Sequence, residues 1–163
     1  MNLEIIMGLG ALILIAVPIF LFQKKQRNKQ SKTKLHLDNL GKEQGLVFSL
    51  YEFWDSNYVI GLDTSKKVLC YYTCVTDKEN YTLISLAEVE KCTVINDHRD
   101  VNNNRVIDQI RLSFTFKDSR ANKSLLFYDR EANLNFTNEL ILAKKWESII
   151  SSNIGSKQLV EMR

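Results

Sequence analysis

The sequence predicts an N-terminal transmembrane helix followed by a mainly β, α+β domain of seven antiparallel strands and one C-terminal helix. Three observations predict it. Residues Ile5 to Phe22 form an 18-residue run without a charge. From Leu46 to Tyr128 there is no proline, and short runs rich in Val, Ile, Phe, Tyr and Thr alternate with polar turns, which is strand grammar. Behind that stretch, apolar residues recur at spacings of three and four, the mark of an amphipathic helix.

At about 1.5 Å per residue the uncharged run spans roughly 27 Å, close to the hydrocarbon thickness of a bilayer. A basic block follows at once, made of Lys24, Lys25, Arg27, Lys29, Lys32 and Lys34, whereas only Glu4 precedes the run. Positive charge stays on the cytoplasmic side. The expected organisation is therefore residues 1–4 outside, 5–22 crossing the inner (plasma) membrane once, and 23–34 as a basic juxtamembrane linker. Residues 35–154 form a domain facing the cytoplasm, and 155–163 a flexible tail. A cleaved signal peptide fits less well: it needs a positive n-region and a small-residue cleavage site, and this run ends Ile-Phe-Leu-Phe. A buried helix of a soluble fold is the remaining alternative. The six cations also draw the linker toward anionic lipid, at about 1 kcal/mol each near the surface. Gly8, Gly10 and Ala11 offer a close helix–helix contact and with it a homodimer.

The net charge of +3 is unevenly placed. Residues 1–34 hold six Lys/Arg against Glu4, a balance of +5; residues 35–163 hold 16 Lys/Arg against 18 Asp/Glu, a balance of −2. A nucleic-acid-binding domain carries a basic face on the fold itself, so no nucleic acid is expected as a partner. The three cysteines are Cys70, Cys74 and Cys92. An odd number in a cytoplasmic domain argues against a disulfide framework. Cys70 and Cys74, four apart on a strand, share one face and read as small buried hydrophobes. The two histidines, His36 and His98, stand at no spacing typical of zinc sites, so no metal is expected.

Taken in order, LHLDNLGKEQ (35–44) places Leu35, Leu37 and Leu40 in a short, weakly amphipathic segment that Gly45 closes. The seven strands follow as 46–54, 57–63, 67–75, 81–86, 88–96, 106–117 and 123–129. Between the fifth and sixth lies a polar loop, Asp97 to Arg105. In the sixth, Ile110, Leu112, Phe114 and Phe116 alternate with Arg111, Ser113, Thr115 and Lys117, so one face is buried and the other wet. Asn135 or Thr137 caps the last helix. Phe136, Leu140, Ala143, Trp146 and Ile150 form its apolar stripe, with Lys144, Lys145 and Ser148 opposite.

The segments TLISLAEVEKCTVIND, IRLSFTF, SLLFYD and ELILAKKWESII carry a likeness to a known fold. Residues 46–152 resemble the pleckstrin-homology-like (PH-like) fold, specifically uncharacterised bacterial single-pass membrane proteins with a PH-like soluble domain. The resemblance implies a seven-stranded antiparallel barrel, one open end of which is closed by the C-terminal helix. It does not carry over a lipid-headgroup site. PH domains that bind phosphoinositides use cations in the loop between the first two strands, and here that loop is Asp55-Ser56-Asn57.

Chemical motifs are missing. Asp100, Asn102 and Asn104 begin like a calcium loop, but its sixth position, normally Gly, is Arg105, and its twelfth, normally Glu, is Arg111. There is no phosphate-binding glycine loop, nucleophile elbow or HExxH. The sequence thus predicts no catalytic, cofactor-binding or metal residues. It predicts a non-enzymatic, membrane-tethered binding or scaffold module that holds an unknown protein partner at a sheet edge or in the groove beside the helix. The alternatives are an accessory subunit of a membrane assembly acting through its transmembrane helix, and an enzyme with an unrecognised site.

Overall fold

The computed structural model describes residues 17–18, 20–21, 24, 31, 33–55, 57–75, 78–118 and 120–154. A helix over 33–44 (α1) turns Leu37 and Leu40 inward and keeps Lys34, His36, Asp38 and Lys42 in water. It ends where the sequence predicts. Gly45 has φ +64°, a left-handed backbone that favours glycine. Its N–H donates to Lys42 O at 3.2 Å, and Leu46 N–H donates to Gly41 O at 2.6 Å. Those paired bonds satisfy the last carbonyls of the helix.

Seven strands follow: β1 Leu50–Trp54, β2 Tyr58–Asp63, β3 Val68–Val75, β4 Lys78–Ser85, β5 Val89–Val101, β6 Asn104–Phe116 and β7 Lys123–Asp129. A final helix, α2, spans Glu139–Asn153. The strands form two antiparallel sheets, β1-β2-β3-β4 and β5-β6-β7. The first sheet is covered on both sides. Leu37 and Leu40 of α1 pack on its outer face against Val59, Cys70 and Tyr72. Its inner face, with Ile60, Leu62, Leu69 and Ile84, joins the main core with Ile110, Leu112 and Phe114 of the second sheet.

The structure corrects the expected barrel. No ladder joins β4 to β5 or β7 to β1, so the two sheets stay separate and neither closes. At the seam facing β7 the outward carbonyls of Leu126 and Phe127 are taken by side-chain donors in place of a ladder. Trp54 stacks on Phe127 at 4.6 Å and on Tyr58 at 5.4 Å. The Trp54 indole N–H donates to Phe127 O at 3.0 Å, and the Tyr71 hydroxyl donates to Leu126 O at 2.5 Å. Phe127 is an extra residue in the ladder, because Ile110 faces Tyr128 and Arg111 faces Leu126. This β-bulge sends both Phe127 and Tyr128 into the core.

The membrane expectations are corrected as well. Among the described residues, no helix is long and apolar enough to cross a membrane. The transmembrane helix, the single-pass topology with the N-terminus outside and the inner-membrane location are therefore set aside. Of the uncharged run, residues 17–18 and 20–21 are among the described residues, and the helix described behind it, α1, is amphipathic, with Lys34, His36, Asp38 and Lys42 in water. Residues 1–16, 19 and 22 of the expected span and its flank lie outside the described residues, as do Gly8, Gly10 and Ala11 and the tail 155–163.

Three strand boundaries differ from the sequence reading by three residues or more; one is β4, which begins at Lys78 rather than at 81. Residues 46–49 are a link rather than the start of β1, because Leu46 finishes the helix cap and Val47 N–H is taken by a side chain, Asp63 Oδ2, at 2.8 Å. The polar loop at 97–105 is strand: β5 and β6 run on to a two-residue turn at Asn102-Asn103, with φ of 50° and 61°. Positive φ at both central residues is the hairpin geometry that asparagine tolerates.

Asp63, only 1% exposed, ties the β2–β3 turn to the link from α1. Its Oδ1 accepts the Ser65 hydroxyl at 2.6 Å and the N–H groups of Ser65 and Lys66, each at 2.9 Å. The Ser65 hydroxyl above all, then the Lys66, Val47 and Ser65 amides, lower its pKa from 3.8 to about 2 against the opposing effect of burial. A depressed carboxyl stabilises fully above its unfolded pKa, and that stabilisation is lost as pH falls from about 4 toward 2. Urea midpoints of Asp63→Asn are expected to be lower than wild type at pH 7. They should also fall less steeply between about pH 4 and 2; parallel curves would show that Asp63 does not carry this part of the acid sensitivity.

Helix α2 reaches across the open end. Leu142, Ala143, Trp146 and Ile150 enter the main core. The Glu147 carboxylate accepts Val94 N–H at 2.7 Å, which caps the outer edge of β5. At the other side Glu52 Oε2 on β1 accepts the Lys145 ammonium at 2.7 Å and the Trp146 indole N–H at 3.2 Å. The N-cap is Asn138 rather than Asn135 or Thr137, and its side chain makes no cap bond. Instead Glu139 turns back and accepts Thr137 N–H at 2.7 Å.

Candidate functional site

An open cavity lies where β7 leaves its neighbour. The β6–β7 ladder starts at Gln109–Asp129. Beyond it, β5 and β6 continue alone as a two-stranded arm out to Asn102-Asn103. At the base of the arm Asp97 faces Gln109 and His98 faces Ile107, so Asp108 is an extra residue on β6. Such a bulge aims neighbouring side chains in directions that plain alternation does not allow. Here it opens a cleft of about 590 Å³.

Asp97 and Arg99 of β5 form one wall, with Asp108 and Gln109 of β6 as the floor. Asp129 at the end of β7 and Arg130, Glu131 and Leu134 of the following link form the other. The link is held in place by Arg130 N–H on Asp108 O at 2.9 Å and Glu131 N–H on Asp129 Oδ1 at 3.0 Å. Leu134 is 81% exposed at the rim.

The charges are arranged in opposed groups. Asp108 Oδ1 lies 3.3 Å from Arg99 Nε and 3.9 Å from Arg130 Nη1, so two guanidinium groups share one carboxylate oxygen. Asp97 is engaged by Arg111 through a short charged hydrogen bond. Asp129 Oδ2 accepts the Gln109 amide at 3.2 Å. A guanidinium carries five N–H donors in a planar fork, so Arg99 and Arg130 have donors to offer a carboxylate or a backbone carbonyl in the cleft.

The walls contain no Ser, Thr, Cys, Lys or His, and of their carboxylates Asp97, Asp108 and Asp129 are engaged by Arg111, Arg99 and Gln109. The buried thiols elsewhere are poor candidates, since burial pushes Cys70 and Cys92 up to about 12 and a thiol reacts as its thiolate. Among the described residues no three His, Cys, Asp or Glu side chains converge as a metal ion would require.

The sequence-predicted residues sit away from this cleft. Lys24 is exposed, and the Lys34 ammonium lies 5.2 Å from the centre of the Tyr51 ring. Lys25, Arg27, Lys29 and Lys32 lie outside the described residues. Of the helix stripe, Ala143, Trp146 and Ile150 are buried and Leu140 is half-buried. Phe136 precedes α2, is largely exposed and meets Tyr128 edge-on at 5.2 Å. Leu142 takes the core position next to Ala143. Sequence reasoning passed over Arg99, Asp108 and Arg130. The signal that could have found the arm is Asn102-Asn103, a two-residue turn between segments of strand-forming residues. No family model, curated protein or solved structure matches the chain.

Proposed function

We propose that the domain is a non-enzymatic protein-binding module that holds its partner with the β5–β6 arm and the charged cleft at its base. The arm is the observation that carries this reading. A two-stranded ribbon is marginal by itself in water, and this one runs past its sheet with backbone edges that a partner would cover. The cleft's carboxylates Asp97, Asp108 and Asp129 are already engaged by Arg or Gln side chains, which favours recognition over chemistry. The order of four strands, three strands and a helix supports keeping the PH-like likeness at the level of connectivity, without the closed barrel.

The double variant Arg99→Glu/Arg130→Glu tests it. Both side chains are partly exposed, so stability is expected to change by about 1 kcal/mol or less per ion pair. Proximity labelling in cells, with the label on the folded domain, should lose a specific set of proteins in the variant. An unchanged set, with the variant folded by its urea transition, removes this reading.

A further inference from the structure

We infer that the arm takes its partner as one short extended segment, added as a strand antiparallel to β6 along Asn104–Ile107. The segment carries an acidic side chain opposite Arg105 and apolar side chains opposite Val106 and Ile107. This rests on the protein-binding reading above and names the kind of partner.

The lane is defined by where β7 stops. β7 pairs with β6 from Phe114 up to Gln109 and no further, while β5 pairs with β6 out to Asn104. In an antiparallel ladder, facing residues that exchange both bonds alternate with residues that exchange none. Counted from the two-residue turn, Val101–Asn104 and Arg99–Val106 exchange bonds. Arg105 and Ile107 therefore turn their N–H and C=O groups away from β5, into the lane that β7 has vacated. Among the described residues no backbone group from a turn or loop reaches them. Strand addition to such an edge draws affinity from main-chain bonds and specificity from alternate side chains.

The ends of the lane set its length. On one side the chain reverses at Asn102-Asn103. On the other, Arg130 N–H already occupies Asp108 O. About four residues fit between them, given the 3.4 Å rise of a strand. Charge sets the composition. Asp108 is shared by Arg99 and Arg130. Arg105 is exposed; it faces Asp100 across the ladder but, among the described residues, forms no ion pair with it and bonds the ring nitrogen Nδ1 of His98 at 3.1 Å. Its guanidinium therefore keeps donors for an acidic side chain on the lane side. Val106 and Ile107 are half-buried apolar neighbours. The opposite edge, on β5, is the poorer lane: Glu147 already occupies Val94 N–H, and His98 and Asp100 stand where β6 has Ile107 and Arg105.

The probe is the capped pentapeptide Thr-Val-Val-Glu-Thr, added to the full chain and read by amide hydrogen exchange. At half occupancy, reached for such a short segment near about 1 mM, exchange at Arg105 and Ile107 should slow about twofold, while Asn104 and Val106, bonded to β5, stay unchanged. N-methylation of the peptide backbone should abolish the effect. Arg105→Glu should lose it and recover it with Thr-Val-Val-Lys-Thr. No slowing at Arg105 and Ile107 up to about 10 mM, or slowing that survives N-methylation, overturns strand addition. A partner that is lost in Arg99→Glu/Arg130→Glu but leaves those two amides at their free rate keeps the binding module and removes strand addition alone.

Discussion

Trp146→Ala is expected to cost about 3–5 kcal/mol, against about 5–15 kcal/mol for a whole domain of this kind. The indole is 1% exposed in the main core, so truncation both removes apolar contact and leaves a void between the sheets. Its polar end adds a second term. The indole N–H rests on Glu52 Oε2, and a buried donor left without its acceptor costs about 1–3 kcal/mol. Glu52→Gln, which keeps an acceptor, should therefore be milder than Glu52→Leu. Lys145 reaches the same carboxylate from the solvent side, rather than standing idle on a far face. Lys145→Ala should still cost only about 0.2–1 kcal/mol, as exposed ion pairs do. Urea midpoints rank the four variants. If Trp146→Ala matches wild type, the helix does not complete the core.

The second large effect is expected at Trp54, 8% exposed and the centre of the ring seam between the sheets. Trp54→Ala should cost about 3–5 kcal/mol. Trp54→Phe keeps a ring but strands Phe127 O, which no longer receives the indole N–H, and should cost about 1–3 kcal/mol. Tyr71→Phe removes the neighbouring bond to Leu126 O. The two bonds land on adjacent carbonyls, so the double variant should depart from additivity, as neighbouring sites do. A strictly additive pair would mean that the rings act independently and the seam is not one unit.

Much of the strand pattern was legible. The alternation of Ile110, Leu112, Phe114 and Phe116 gives the buried face of β6, and the core stripe of α2 holds from Leu140 onward. Boundaries were less legible where a side chain competes with the ladder: Val47 looks like strand in sequence, but its N–H belongs to Asp63. The division into two sheets carries no local signal, because it depends on which distant strands pair. The cleft was illegible for a related reason. Its floor depends on one inserted residue, Asp108, and period-two reading treats an insertion as noise. The uncharged run told the opposite story: its composition was plain, but among the described residues no helix is long and apolar enough to cross a membrane.

The position of Trp146 behind all seven strands has a consequence for synthesis. Strands β1 to β7 are complete at Asp129, but the ring that fills the space between the sheets and Ile150, the last buried residue among those described, come later. At about 5–20 residues per second the ribosome needs roughly 1–4 s to deliver that remainder. During those seconds the two inner faces have each other but not the helix that completes the core between them. The nascent chain therefore carries an unfinished interior until Ile150 has been made.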